Sequence, residues 1–167
     1  AAVVEAVPAP YGFESFVMGA DGAGGKFLHS GAVAPCLPDG TPLANTLYQN
    51  GPEVFKFAVR IMQNASLDAI AKAGLHPDDI SLFVPHQANL RIIEAARERL
   101  GLPAERVVVT LAEYGNTSTA SIPLALKETL DAGRIRPGDR LLLVAFGGGL
   151  TWAASVLSWG SPAGGGA

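Results

Sequence analysis

Leu82-Phe83-Val84-Pro85-His86-Gln87-Ala88-Asn89-Leu90-Arg91 begins as an apolar run fit for a buried strand, stops on a Pro-His pair and passes at once into a helical pattern. Residues 88–100 place Leu90, Ile93, Ala96, Arg97 and Leu100 at helical spacing, with Arg91, Glu94, Glu98 and Arg99 on the other side. A strand that feeds directly into a helix is the repeating unit of an α/β fold, and such folds gather their chemistry at the carboxyl ends of their strands. His86 stands at that junction. An imidazole there can cap the helix, bond within the core, or act as donor, acceptor or proton carrier near neutral pH, and this stretch leaves all of those open.

On either side the same alternation recurs. Upstream, residues 53–73 read as a long helix, with Pro52 near its first position and Gly74 closing it, and with Phe55, Val59, Met62, Ser66, Ala69 and Ala73 as its buried face. A turn at 76–79 leads into a strand at 80–84. Downstream, Gly101 and Pro103 end the central helix, and Val107-Val108-Val109-Thr110 is a β-branched run that reads as a buried strand. A helix over 121–132 follows, with Pro123 in its first turn and Gly133 at its end. Strands at 140–146 and 150–159 are then joined through Gly147-Gly148-Gly149, a tight hairpin-like connection.

The first quarter is more broken. Residues 1–7 read as a strand cut off by Pro8 and Pro10, and 12–18 as a second, followed by a glycine-rich turn at 21–25 that lacks the helix a phosphate cradle would need. Prolines and glycines make 27–52 a long loop with one short extended piece near Leu47, and 161–167 a flexible tail. The expected architecture is α/β: a mixed, mostly parallel five-stranded sheet with helices on both faces. His86, Asn116 and the glycine triplet then all lie on one edge of it.

Composition narrows the function. The chain has 167 residues, a net charge of −3 and 12 scattered basic residues, which gives no electrostatic footprint for nucleic acid or an anionic membrane. No apolar run reaches the length of a membrane span. One cysteine rules out an internal disulfide framework and fits a reducing cytoplasm. No cofactor or metal site is expected.

Asn116, between Gly115 and Thr117, can be a turn or N-cap asparagine. Its amide can equally donate to a developing oxyanion, and beside a neutral imidazole donor it would polarise a carbonyl without adding net charge. Taken together, Val84-Pro85-His86-Gln87-Ala88-Asn89-Leu90-Arg91, Tyr114-Gly115-Asn116-Thr117-Ser118 and Ala145-Phe146-Gly147-Gly148-Gly149-Leu150-Thr151-Trp152 strongly resemble the carboxyl-terminal half of β-ketoacyl-acyl-carrier-protein synthase III.

That resemblance covers nearly the whole chain, including Gly51-Pro52-Glu53-Val54-Phe55-Lys56. It implies a thiolase-like half, with His86 and Asn116 as the catalytic histidine and asparagine that stabilise an enolate when a malonyl thioester loses carbon dioxide. It implies the Gly148 N–H as the acyl-thioester oxyanion donor and Phe146 as a border to the malonyl carboxylate. By the same token Gly51, Phe55, Ala88 and Asn89 would line a pantetheine tunnel, while Lys56 and Arg91 at its mouth would meet an acidic acyl carrier protein. Acyl-CoA enters as a substrate, and the complete enzyme would be a homodimer.

The nucleophile is the missing piece. Cys36, in Ala34-Pro35-Cys36-Leu37-Pro38, sits between prolines with neither a helix N-terminus nor a basic neighbour to activate it. The family's cysteine belongs to the amino-terminal half. The chain therefore divides into 1–8 as the last strand of that half, 9–160 as the carboxyl-terminal half and 161–167 as the tail. Two rival readings are a non-catalytic carrier-protein-binding scaffold and a self-contained Cys36-His86-Asn116 thiol hydrolase.

Overall fold

The computed structural model describes residues 3–31, 35–37 and 39–160. Its main sheet holds four strands, β1 (Gly12–Ala20), β4 (Leu82–Pro85), β5 (Arg140–Gly147) and β6 (Thr151–Ser158), in the order β1-β6-β5-β4. A second pair, β2 (Leu28–Ser30) with β3 (Leu47–Gln49), is antiparallel and lies inside the stretch expected to be loop. The helices are α1 (Gly51–Lys72), α2 (Leu90–Leu100), the single turn α3 (Leu111–Tyr114) and α4 (Ser121–Asp131).

Alternation along the strands builds two cores. Phe83, Leu142, Val144, Ala154 and Val156 face α1 and α2. Leu82, Val84, Val108 and Leu141 face the other way, against Ala125 of α4. Every residue of β4 is buried, as its uninterrupted apolar sequence requires of a strand covered on both sides. Helix α1 starts where Asn50 accepts the Glu53 N–H at 3.3 Å and Pro52 needs no donor partner. Ser15 Oγ donates to the Ala69 carbonyl at 2.7 Å and ties β1 to that helix.

The sheet departs from the sequence reading in two ways. Only β4 and β5 pair in parallel; β6 folds back beside β5 through a short 3-10 turn at Gly148–Leu150 and so comes to lie between β5 and β1, antiparallel to both. A short connection permits no other arrangement of neighbouring strands. The expected fifth strand is reduced to one parallel bridge, Phe83 with Val107. Beyond it the backbone turns at Thr110 into α3, and a side chain supplies the partners a strand would have given: Gln87, fully buried, donates through Nε2 to the carbonyls of Pro85 (2.8 Å) and Val108 (3.1 Å) and accepts the Thr110 N–H at Oε1 (2.9 Å).

The expected first strand is also absent among the described residues: 3–8 pair with nothing as strand, and Val3 and Val4 are exposed. An apolar β-type sequence without a neighbouring strand has no ladder to join. Ala1, Ala2 and the tail at 161–167 lie outside the described residues. On α1 the buried face is turned slightly from the expected one, taking in Val54, Phe57 and Ile70 and leaving Phe55 at its border; on α2, Ile92 is buried and Leu90 exposed. Among the described residues no helix is long and apolar enough to cross a membrane.

In β1 an irregularity between Phe13 and Ser15 lets Glu14 bulge out of register. Phe13, Phe16 and Met18 consequently share the sheet face away from α1, all exposed, with the two phenyl centroids 4.7 Å apart.

Candidate active site

His86 is fixed from three directions. Its backbone N–H donates to the Val144 carbonyl at 2.8 Å, continuing the β4–β5 ladder one residue past the last strand position. Its Nδ1 lies 2.6 Å from the Ser121 hydroxyl, the first residue of α4. Its ring meets Phe146 edge to face, centroids 5.7 Å apart. Phe146 in turn contacts Phe57 of α1 at 6.4 Å, and Phe57 contacts Trp152 at 6.0 Å, so an aromatic chain backs the histidine. Burial in this setting holds the His86 pKa below the usual imidazole value of 6.5. That setting favours the neutral ring, which can give one hydrogen bond without carrying charge.

Asn116 is exposed at the far end of α3, in a turn with two left-handed residues, Gly115 (φ 65°) and Ser118 (φ 55°). Its Oδ1 accepts the Ser118 N–H at 3.0 Å. With the carbonyl end of the amide so occupied, the NH2 end is left as the donor. The adjoining Thr117 hydroxyl is buried and finds no partner among the described residues. Gln87 links the two halves of this arrangement: it follows His86 in sequence, and its amide holds Thr110, from which α3 leads to Asn116.

The remaining expected residues fall into place unevenly. Gly148 is exposed in the β5–β6 turn, and a β-carbon there would come within 3.4 Å of the Leu28 carbonyl oxygen. Ala88 donates its N–H to the His86 carbonyl at 2.9 Å in the tight turn that ends β4. Asn89 caps α2, its Oδ1 accepting the Arg91 N–H at 2.9 Å. Gly51 is the exposed first residue of α1. Arg91 lies over the Phe55 ring, guanidinium carbon 5.4 Å from the centroid, and Lys56 pairs with Glu53 at 2.8 Å on the same helix.

Cys36 is exposed. It bridges to Pro42 and borders a cavity of ≈ 750 Å³ whose other wall includes Leu28, Leu47, Gly148 and Gly149. Among the described residues it makes no bond to His86, whose Nδ1 is engaged by Ser121. A thiol–imidazole pair of the kind a self-contained hydrolase needs is therefore not formed there. Among the described residues no three His, Cys, Asp or Glu side chains are grouped to hold a metal ion.

Gln87 and Ser121 were not among the sequence candidates. Neither belongs to an apolar period, and both matter through a hydrogen bond to a group distant in the chain. The only local signal was a polar amide lodged between two apolar runs; Ser121 simply opens a helix, after an Ala120 whose side chain makes no cap.

Comparison with known proteins shows what the chain as a whole resembles. Residues 70–159 match the family model described as 3-oxoacyl-[acyl-carrier-protein (ACP)] synthase III C terminal. A beta-ketoacyl-[acyl-carrier-protein] synthase III of Deinococcus deserti is 53% identical over 159 residues, 95% of this chain and 45% of the relative. One from Deinococcus radiodurans is 56% identical over 95% of this chain and 47% of the relative. Among solved structures, a beta-ketoacyl-[acyl carrier protein] synthase III from Thermus thermophilus superposes with a TM-score of 0.91 at 71% identity, covering 94% of this chain and 49% of that one. The 3-oxoacyl-[acyl-carrier-protein] synthase III from Aquifex aeolicus gives 0.81 at 39% identity, over 92% and 46%. The chain spans about half the length of the curated relatives it matches.

Proposed function

The chain belongs to the 3-oxoacyl-[acyl-carrier-protein] synthase III family, whose C-terminal region it carries, and from that membership we propose that it supplies the histidine and asparagine of a decarboxylating condensation. The fold is the thiolase-like α/β half of such enzymes. The observation that carries the proposal is the setting of His86: half-buried against Phe146, its pKa held below the usual imidazole value by that burial, with Nδ1 engaged by Ser121 and the other nitrogen left to donate.

In the proposed reaction an acyl group from acyl-CoA rests as a thioester on a cysteine of the amino-terminal half. A malonyl thioester on acyl carrier protein then places its carbonyl oxygen between His86 and the Asn116 amide. The bond from the malonyl methylene carbon to the carboxylate breaks, carbon dioxide leaves, and the electron pair moves onto that carbonyl oxygen as an enolate held by the two donors. The enolate carbon attacks the acyl carbon; the oxyanion that forms is met by the Gly148 N–H and collapses with loss of the cysteine thiolate. The product is a 3-ketoacyl thioester. Phe146 gives the departing carboxylate an apolar neighbour, which disfavours the charged ground state relative to neutral carbon dioxide.

Gly51, Phe55, Ala88 and Asn89 are read as walls of the pantetheine passage, and 1–8 as the last strand of the amino-terminal half, which gives the unpaired apolar residues 3–7 a sheet to join. The complete enzyme is read as a cytoplasmic homodimer. The test is to combine the chain with the amino-terminal half of a family member and assay condensation of acetyl-CoA with malonyl carrier protein. Product formation that needs both polypeptides supports the reading. Product with neither half dependent on the other, or carrier binding with no turnover in the reassembled enzyme, overturns it, the latter in favour of a scaffold.

In the same system Lys56→Glu and Arg91→Glu are expected to raise KM for the carrier-protein substrate severalfold at low salt, with the difference shrinking as salt is added, while turnover of acetyl-CoA is unchanged. Both side chains are exposed cations near the start of their helices, suited to an encounter with an acidic partner. An unchanged KM at low salt removes them from the docking surface.

A further inference from the structure

We infer that Ser121 is a positioning residue: its hydroxyl donates to Nδ1 of His86 and thereby dictates that the imidazole hydrogen sits on Nε2. The inference rests on the reading of His86 as an oxyanion donor and adds to it the device that makes the donor available.

The argument is a count of hydrogens and lone pairs. Ser121 is 2% exposed, and its Oγ lies 2.6 Å from His86 Nδ1 and 3.4 Å from the backbone nitrogen of Gln87. A hydroxyl has one hydrogen and two lone pairs. The Gln87 N–H can only donate, so it occupies one lone pair. Were Nδ1 also protonated, it would fill the other, and the hydroxyl hydrogen would need an acceptor elsewhere in a buried site. Among the described residues no other acceptor takes it. With the hydroxyl hydrogen on Nδ1 instead, the hydroxyl hydrogen, the Nδ1 lone pair and the Gln87 N–H all find partners, as buried polar groups require. The neutral ring must then carry its hydrogen on Nε2.

This arrangement also opposes protonation of the ring. An imidazolium has N–H groups on both nitrogens, so charging His86 would set an Nδ1–H against the hydroxyl hydrogen and force it to rotate away. Burial acts in the same direction. A neutral Nε2–H ring is the form that can hold an enolate oxygen, whereas the other tautomer would present a lone pair to it and repel it. The serine therefore decides whether the histidine attracts or repels the oxyanion, without itself touching substrate.

The experiment is ¹⁵N NMR of the reassembled enzyme with labelled histidine, alongside rates of malonyl decarboxylation. At pH 7 the wild type is expected to show Nδ1 as an unprotonated imidazole nitrogen and Nε2 as a protonated one. In Ser121→Ala the two signals should move toward averaged values, the His86 titration should shift to higher pH, and decarboxylation should slow about tenfold or more. Ser121→Thr, which keeps the hydroxyl, should restore the tautomer pattern and most of the rate. A wild-type spectrum with the hydrogen on Nδ1 overturns the inference, even if the alanine variant fails to fold. So does an alanine variant whose tautomer and rate are both unchanged. The two readings separate cleanly: a serine-dependent tautomer in an enzyme whose rate is indifferent to His86 would keep this inference and sink the proposed function.

Discussion

Replacing either His86 or Asn116 by alanine in the reassembled enzyme is expected to slow condensation about a hundredfold or more, the usual consequence of losing one oxyanion donor, while acylation of the partner cysteine is largely spared. The selectivity follows from where charge develops. Loss of carbon dioxide puts a full negative charge on one carbonyl oxygen, and each donor strengthens as that charge grows. Acylation places its oxyanion on a different oxygen, nearer Gly148 in the proposed scheme. The double variant should cost less than the product of the two single losses, because either donor alone leaves the oxygen badly held and the second then has little left to stabilise. Separate assays of acyl transfer and malonyl decarboxylation check this. Equal losses in both half-reactions would mean that the two residues activate the nucleophile or hold the fold.

The second large effect is expected at Gln87, and it concerns stability as well as rate. Its buried amide satisfies the carbonyls of Pro85 and Val108 and the N–H of Thr110. Gln87→Leu keeps the volume but leaves three buried backbone groups facing a hydrocarbon. Unsatisfied buried groups cost about 1–3 kcal/mol each, so a loss of about 3 kcal/mol or more in unfolding free energy is anticipated, read from denaturant midpoints at unchanged m-value. Gln87→Glu is the informative companion. A carboxylate can still accept from Thr110 but sets its other oxygen, an acceptor, against the two carbonyls in place of the NH2 donor, so it should be no better than leucine. If Gln87→Leu unfolds at the wild-type midpoint, water replaces the amide and the clamp carries little energy.

Particular residues show how far the sequence could be read. The strand-to-helix junction at 82–91 was legible because burial on both faces writes itself as an unbroken apolar run, and because a chain leaving a strand into a helix needs a distinctive turn. His86 and Asn116 were visible as polar residues at such turns. The run at 107–110 was misread because β-branched composition reports what a segment would tolerate, whereas pairing depends on what its neighbour offers. Here the neighbour strand ends on Pro85, which has no N–H, and Gln87 supplies the bonds from its side chain. The same limit applies to 1–7, whose apolar sequence suits a strand but finds no partner among the described residues. Ser121 was invisible for another reason: its importance lies in one oxygen reaching across 35 positions to a ring nitrogen, and no local pattern encodes that.

The bulge at Glu14 has a consequence for how the chain behaves in a test tube. One residue slipped out of register is enough to carry Phe13 onto the face already occupied by Phe16 and Met18. Three large apolar side chains there meet water, Met18 at 77% exposure, on a strand at the edge of its sheet. Clustered exposed apolar residues beside an open edge promote self-association. Sedimentation of the purified chain is therefore expected to show mass rising with protein concentration, and Phe16→Ser with Met18→Ser to return it toward the monomer. Colloidal behaviour, set by a single extra residue in β1, would then govern the concentrations at which any of these measurements can be made.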